Sequence, residues 1–467
     1  MPKNTTPRSI ALALGLTAFV AVANTNAAEI VGAKHRDQPR TEMLANPVFK
    51  SHAYLEQWGN EANPPVILVH GLGNNGTRDW QHLAPLLSKK FHVIAFDLPG
   101  LARSTKFNEL YSPDNYARFI DWVATTYAKE PFTLIGHSMG GAIALDYAAT
   151  HPRKLKQLIL IDAAGILYRT SYSRYLLDDF KPVWWANLIP SSEQLNKMLG
   201  FGIEDYDRFP LAINLILATG FTRSKFLGAD PVKIAGLAMV QKDFSGMLDA
   251  VNMPTLLVWG GRDTIAPLRT GKMLQSLLSD ARLEIIPEAQ HVPMMQTPDQ
   301  LNKIVWEAVT NSQFVSAAKP KQTIYAANSN KDESCKQQQD RYYSGRYTRL
   351  IIDECQHVTI ENAKIDFLKV KNSSVTIYDS EIGGKKTALQ ADNATVFATA
   401  SKFSAAIPIE AENSRLDFAG VDIKATQQGF KSQLQTYVTF SLCTMESPQF
   451  TGNLHGVYPM SAAEQPF

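Results

Sequence analysis

Residues 131–142 read Pro131-Phe132-Thr133-Leu134-Ile135-Gly136-His137-Ser138-Met139-Gly140-Gly141-Ala142. An apolar run of strand length meets a glycine, a serine follows two residues later, and a second glycine precedes an Ala-rich segment reaching Thr150. This is the pattern of a serine held on a sharp strand-to-helix turn. Glycines two residues before and after Ser138 leave room where a Cβ would strike the adjoining strand or helix. The hydroxyl stands clear of the sheet edge as a candidate nucleophile, above the start of a helix.

A serine nucleophile needs a base, an acid to orient the base and donors for the oxyanion. Each is found after an apolar strand-like run, in the order Ser, Asp, His. Thr255 to Trp259 ends in Gly260-Gly261-Arg262-Asp263, and Ala281 to Ile286 leads through Pro287 to His291. Upstream, Val66 to Val69 runs into His70-Gly71-Leu72-Gly73, whose backbone N–H at Leu72, with that of Met139, is expected to face the developing negative charge.

With Asp97-Leu98-Pro99-Gly100 after the strand-like His92 to Phe96, these motifs make residues from about 50 to 312 resemble the α/β-hydrolase superfamily, in its esterase and lipase-like branch. The resemblance implies Ser138 as nucleophile, His291 as general base, Asp263 as its orienting acid, Leu72 and Met139 as oxyanion donors, and no metal or organic cofactor. Ala102 departs from the family, where many relatives carry a second glycine after that turn. Asp162, after Leu158 to Ile161, is the competing position for the acid. His70 and His137 read as structural residues of their loops, and Asp97 as a turn former or loop anchor.

Gly71-Leu72-Gly73-Asn74-Asn75-Gly76 also spells the dinucleotide-binding fingerprint after a strand. The polar Thr77-Arg78-Asp79, where a packed helix should turn apolar, and the downstream Asp and His argue against it.

The chain has 467 residues, 45% hydrophobic, with a formal net charge of +2, which suits globular material and gives no basic patch for nucleic acid. Lys3 and Arg8 precede the apolar Ile10 to Ala23, with small residues at Ala21, Ala23, Ala27 and Ala28. Residues 1–28 are therefore expected to be a signal peptide cleaved after Ala23 or Ala28, giving a periplasmic or secreted protein without an integral membrane span. The apolar stretch is too short to serve as a retained anchor. Residues 29–312 form the expected hydrolase domain. Its insert at about 166–251 is rich in Tyr168, Tyr172, Tyr175, Phe180, Trp184, Trp185, Phe201, Phe209, Phe221 and Phe226, and reads as a helical cap with an apolar ceiling.

Residues 313–334 read as a polar linker, and from 335 to 467 the chain repeats. The segments from Asn372, Asn393 and Asn413 align without gaps, with a looser copy from Cys355. Units of about twenty residues must stack to bury a core. They resemble a short right-handed parallel β-helix, with the three asparagines as a turn ladder and Val375, Val396 and Leu416 inside. Cys335 and Cys355, about one repeat apart, are a candidate disulfide, leaving Cys443 over. The fold class expected is α/β, an α/β-hydrolase sheet with helical cap, followed by an all-β parallel coil stack.

The function expected is cleavage of a small-molecule carboxylic ester with an apolar acyl or aromatic group through an acyl-enzyme on Ser138. Carbon–carbon, thioester or amide hydrolysis by the same triad is the alternative. A second class is a non-catalytic scaffold built on the coils, which could present a face to a protein, glycan or second subunit. Because the coils supply none of the expected site residues, the catalytic part is expected to work without them.

Overall fold

The computed structural model describes residues 38–128, 131–168, 210–311, 313–316 and 331–462. The expected leader and the cap aromatics from Tyr172 to Phe209 lie outside them. The first eight strands are β1 (Arg40–Asn46), β2 (Ser51–Trp58), β3 (Pro65–Val69), β4 (His92–Phe96), β5 (Phe132–His137), β6 (Leu155–Ile161), β7 (Thr255–Gly260) and β8 (Ala281–Ile286). They form one sheet in the order β1-β2-β4-β3-β5-β6-β7-β8. The pairings β1–β2 and β2–β4 are antiparallel and those from β4 to β8 are parallel.

The central strands are continuous apolar runs because helices cover both faces. On one face Phe119, Ile120 and Val123 of the helix Pro113–Tyr127, with Ile143 and Leu145 of the helix Met139–Thr150, close over Ile67, Leu134 and Leu160. On the other, Leu83 and Leu87, with Leu301 and Val305 of the helix Pro298–Thr310, cover Val66, Ile135 and Ile159. A parallel sheet built this way presents its carboxyl-end loops along one edge, where ligands bind in open α/β sheets.

The C-terminal strands stack in parallel coils. One ladder joins Val358–Lys371, Ser374–Tyr378, Thr395–Thr399, Arg415–Ala419 and Thr436–Glu446. A second runs through Glu381–Gly383, Lys402–Ala405 and Asp422–Ala425, and a third through Thr387–Asp392, Ile407–Glu412 and Phe430–Lys431. In register, Val358, Val375, Val396, Leu416 and Val438 form one buried row, so each coil's apolar residues complete the core of the next.

At the corner, Asn372, Asn393 and Asn413 take φ of 49°, 48° and 45°, a left-handed conformation that asparagine tolerates well. The Asn393 amide donates to Asn372 Oδ1 at 2.9 Å, and that of Asn413 to Asn393 Oδ1 at 3.3 Å. The last strand, Thr451–Met460, turns back antiparallel on Thr436–Glu446 and covers an edge that would otherwise offer unpaired backbone. Cys335 and Cys355 are disulfide-bonded, with Cα atoms 6.5 Å apart, and Cys443 is a buried free thiol pushed up to about 12 by burial.

The coils are not held at arm's length. Arg269, in the helix Leu268–Leu277, reaches Asp417 at 3.1 Å and Thr399 Oγ1 at 3.2 Å, with both charged side chains almost wholly buried. Lys272, one turn on, pairs with Glu361 at 2.5 Å and with Asp379 at 3.5 Å. Ala419 and Leu442 of the coils belong to the hydrophobic core of the first sheet. Polar composition between the two parts suggested separability, but the contact is made by residues far from that stretch, which no local pattern marks.

Candidate active site

Ser138 follows β5 with φ 52° and ψ −122°, a sparsely populated conformation enforced by the backbone on both sides. Its N–H is tied to the Ile161 carbonyl at 3.0 Å, and its own carbonyl accepts from Gly141 at 2.9 Å and Ala164 at 3.1 Å. The two flanking glycines are required: a Cβ on Gly136 would stand 2.3 Å from the Gly140 carbonyl oxygen, and one on Gly140 would stand 2.3 Å from that of Val69. The turn is as tight as backbone contact permits.

His291 Nε2 lies 2.8 Å from Ser138 Oγ, and His291 Nδ1 lies 2.8 Å from Asp263 Oδ2. Asp263 Oδ1 accepts from the N–H groups of Ile265 at 2.8 Å and Ala266 at 3.0 Å, so one oxygen is fixed by its own loop and the other faces the imidazole. With a carboxylate against Nδ1, the proton rests there and Nε2 presents its lone pair to the hydroxyl. Three side chains from loops after β5, β7 and β8 thus meet in one line of hydrogen bonds.

The loop after β3 closes the other side. A Cβ on Gly71 would be 3.0 Å from Ser138 Cβ, so this loop lies directly against the serine. Among the described residues the N–H groups of Leu72 and Met139 have no acceptor. His70 is buried, accepts from Leu98 N–H at 2.8 Å through Nε2 and approaches the Gly71 carbonyl at 2.7 Å through Nδ1. Burial holds it below the ordinary histidine range and therefore neutral, as a brace between two loops. His137 is likewise pushed down to about 3 by burial and holds the carbonyl of His291 at 2.8 Å. That bond locks the backbone of the histidine facing Ser138, a role that position beside the serine alone did not reveal.

Asp97 anchors the loop, accepting from Thr77 N–H at 2.7 Å and from the Arg103 side chain at 2.7 Å. The dinucleotide fingerprint fails on geometry: a Cβ on Gly76 would strike this same Asp97 carboxylate at 2.1 Å, and a short 3-10 helix, Gly76–Trp80, follows. Ala102 carries φ 46°, which explains why glycine suits that position and shows that alanine is accommodated.

Above the site, the helix Pro231–Val240 brings Gly236 against Leu72, with open space for the leucine because a Cβ there would come within 3.3 Å. Leu217, Ile234, Ala238, Met239 and Met139 join one apolar cluster. Of the aromatic residues in the expected cap, Phe221 and Phe226 point outward, 79% and 65% exposed.

Residues 64–208 match a family model described as alpha/beta hydrolase fold. The N-terminal half of this chain has the α/β-hydrolase fold. The hydrolase is 27% identical to Lipase 1 of Psychrobacter immobilis over 247 residues, covering 52% of this chain and 75% of that protein. It is 26% identical to a 2-hydroxy-6-oxononadienedioate/2-hydroxy-6-oxononatrienedioate hydrolase of Pseudomonas putida, covering 54% and 90%. Among solved structures, a bacterial membrane phospholipase A superposes with a TM-score of 0.45 at 23% identity, covering 59% of the hydrolase and 87% of that chain.

Proposed function

We propose that this hydrolase cleaves carboxylic esters with an apolar acyl or aromatic group by acyl transfer to Ser138, and that it acts after export. The observation carrying this reading is the hydrogen-bonded line Ser138, His291, Asp263, with both contacts at 2.8 Å. Ser138 Oγ attacks the ester carbonyl carbon while His291 Nε2 takes its proton. The carbonyl oxygen becomes an oxyanion that receives the N–H groups of Leu72 and Met139. Collapse breaks the bond to the alkoxy oxygen, His291 returns the proton to the departing alcohol, and the acyl group remains on Ser138. Water then repeats the sequence in reverse, releasing the acid. Asp263 keeps the imidazole in the receptive tautomer and stabilises the imidazolium.

The approach of the helix Pro231–Val240, with its apolar Ile234 and Met239, to Leu72 through Gly236 supports the apolar acyl preference, because burying each methylene contributes about 0.8 kcal/mol. Export is supported by the charged and apolar pattern of residues 1–28 and by the Cys335–Cys355 disulfide, which persists in oxidising compartments. No described helix is long and apolar enough to cross a membrane.

Fluorophosphonate labelling of the full-length protein, read by mass on the peptide carrying Ser138, tests the nucleophile. Turnover of p-nitrophenyl esters of increasing chain length tests the substrate class. Labelling elsewhere, or a preference for the shortest acyl group, would overturn the corresponding half of the proposal.

A further inference from the structure

Asp162 follows β6 at φ 43° and is fully buried beside the candidate triad. Its Oδ1 accepts from the Gly260 N–H at 2.7 Å, at the end of the strand that leads to Asp263. Its Oδ2 is buried without a donor. Among the described residues no cation pairs with it, and the charged group facing it is Asp263, which in turn faces His291. Two ionised carboxylates cannot donate to each other, and a buried oxygen without a donor is costly. A single proton on Asp162 removes both difficulties.

Asp263 has room for that proton. Its Oδ1 accepts two backbone N–H groups, and its Oδ2 accepts one bond from His291, which leaves a lone pair available. We infer that Asp162 is a neutral carboxylic acid whose O–H donates to the Asp263 carboxylate, making it a positioning residue for the acid of the triad. Burial, and then the negative charge of Asp263, hold the Asp162 carboxyl well above the usual carboxylate range, in agreement with that assignment. The pair shares one proton, as carboxyls brought together in a dry site do. Asp162 touches no reacting atom. It limits where Asp263 can turn and so fixes the plane in which His291 meets Ser138.

The inference rests on reading Asp263 as the partner of His291, and the experiment separates the two. Asn at 162 offers an amide N–H in place of the acid O–H and tolerates positive φ. Alanine removes the donor, and this chain already holds alanine at φ 46° in Ala102. In the full-length protein, Asp162→Asn is expected to keep turnover near the original, whereas Asp162→Ala lowers kcat by about tenfold or more with KM little changed. Difference infrared spectroscopy of the unsubstituted protein against Asp162→Asn at neutral pH should show the carbonyl stretch of a protonated acid, a readout that depends on neither turnover nor the stability of the alanine variant. Carboxylate bands in that spectrum, or an Asp162→Asn loss as deep as that of Asp263→Asn, would overturn the inference. A folded Asp162→Ala with unchanged kcat would overturn the positioning role. Full turnover in Asp263→Asn would instead sink the triad reading itself, whatever the infrared result.

Discussion

Positive φ is used in two opposite ways by the two halves of this molecule. In the sheet, Ser138 and Asp162 are held at φ 52° and 43° at the ends of neighbouring strands, where each side chain faces the other loops of the edge. In the coils, Asn372, Asn393 and Asn413 repeat nearly the same φ at successive turns, and their side chains bond to one another. A strained residue in the sheet is singular and surrounded by enforcing backbone. At the asparagine corner of the stack it is periodic and falls on a residue type that pays little for it. At Ser138 and Asp162 the strained conformation is unrepeated and aimed at other polar groups, and there it marks chemistry.

The largest effect separating the halves is expected at the singular position. Ser138→Ala removes one oxygen from a turn held by backbone contacts, so stability should change little while ester turnover falls by about a millionfold. Comparison of kcat with the unfolding midpoint checks both. Asp263→Asn comes next, with turnover reduced by about 10³ to 10⁴ through the wrong imidazole tautomer. Equal activity in that variant would show that orientation of His291 does not depend on this carboxylate.

The halves meet at Arg269 and Asp417, and the third expectation concerns that junction. Arg269→Met leaves Asp417 buried without its charge partner and should cost about 3–5 kcal/mol, whereas Arg269→Met with Asp417→Leu should recover much of the loss. Chemical unfolding of the full-length variants measures it. Because Arg269 sits six residues beyond Asp263, turnover at a temperature where the variant stays folded shows whether the coils also steady the acid loop. A single substitution without effect on unfolding would make the docking incidental.

Much of the site was readable because its steric needs are local. Gly136 and Gly140 announce the turn around Ser138, the coil period announces itself through three asparagines, and Asp263 and His291 each follow an apolar run. The Arg269–Asp417 contact was not readable, since an arginine two residues after a proline and an aspartate within a repeat have no pattern until two surfaces face each other. The service of His137 to the His291 carbonyl was hidden for the same reason. The sequence marks it as an elbow residue, but its partner is a backbone oxygen 154 residues away.

Acid should weaken the sheet half first. Burial holds His70, His92 and His137 below the ordinary range, His137 at about 3. At His137, between about pH 6.5 and 3, the unfolded chain binds a proton that the native state refuses, and His70 and His92 act in the same direction. The stability they support is complete above the unfolded value and is lost as pH falls, by up to about 1.4 kcal/mol per pH unit for each proton. Urea unfolding at about pH 7 and 5 measures this slope, which should be shallower in His137→Gln. An identical slope in the two proteins would mean that His137 is not buried neutral.

The smallest expected effect tests the periodic use of strain. Asn393→Ala removes a donor to Asn372 and an acceptor for Asn413, and places alanine at φ 48°. Asn393→Gly removes the same two bonds but accepts that φ freely. Losses of about 1 kcal/mol or slightly more are expected for alanine and less for glycine, the difference isolating the backbone from the ladder. Neither should alter kcat, because no atom of this corner joins the line from Ser138 to Asp263. If both lost stability equally, the ladder bonds would carry the corner and backbone conformation would be irrelevant there. A fall in turnover with the fold intact would be more damaging, because the repeated positive φ of the coils would then reach the chemistry of the sheet and the distinction between the two uses would fail.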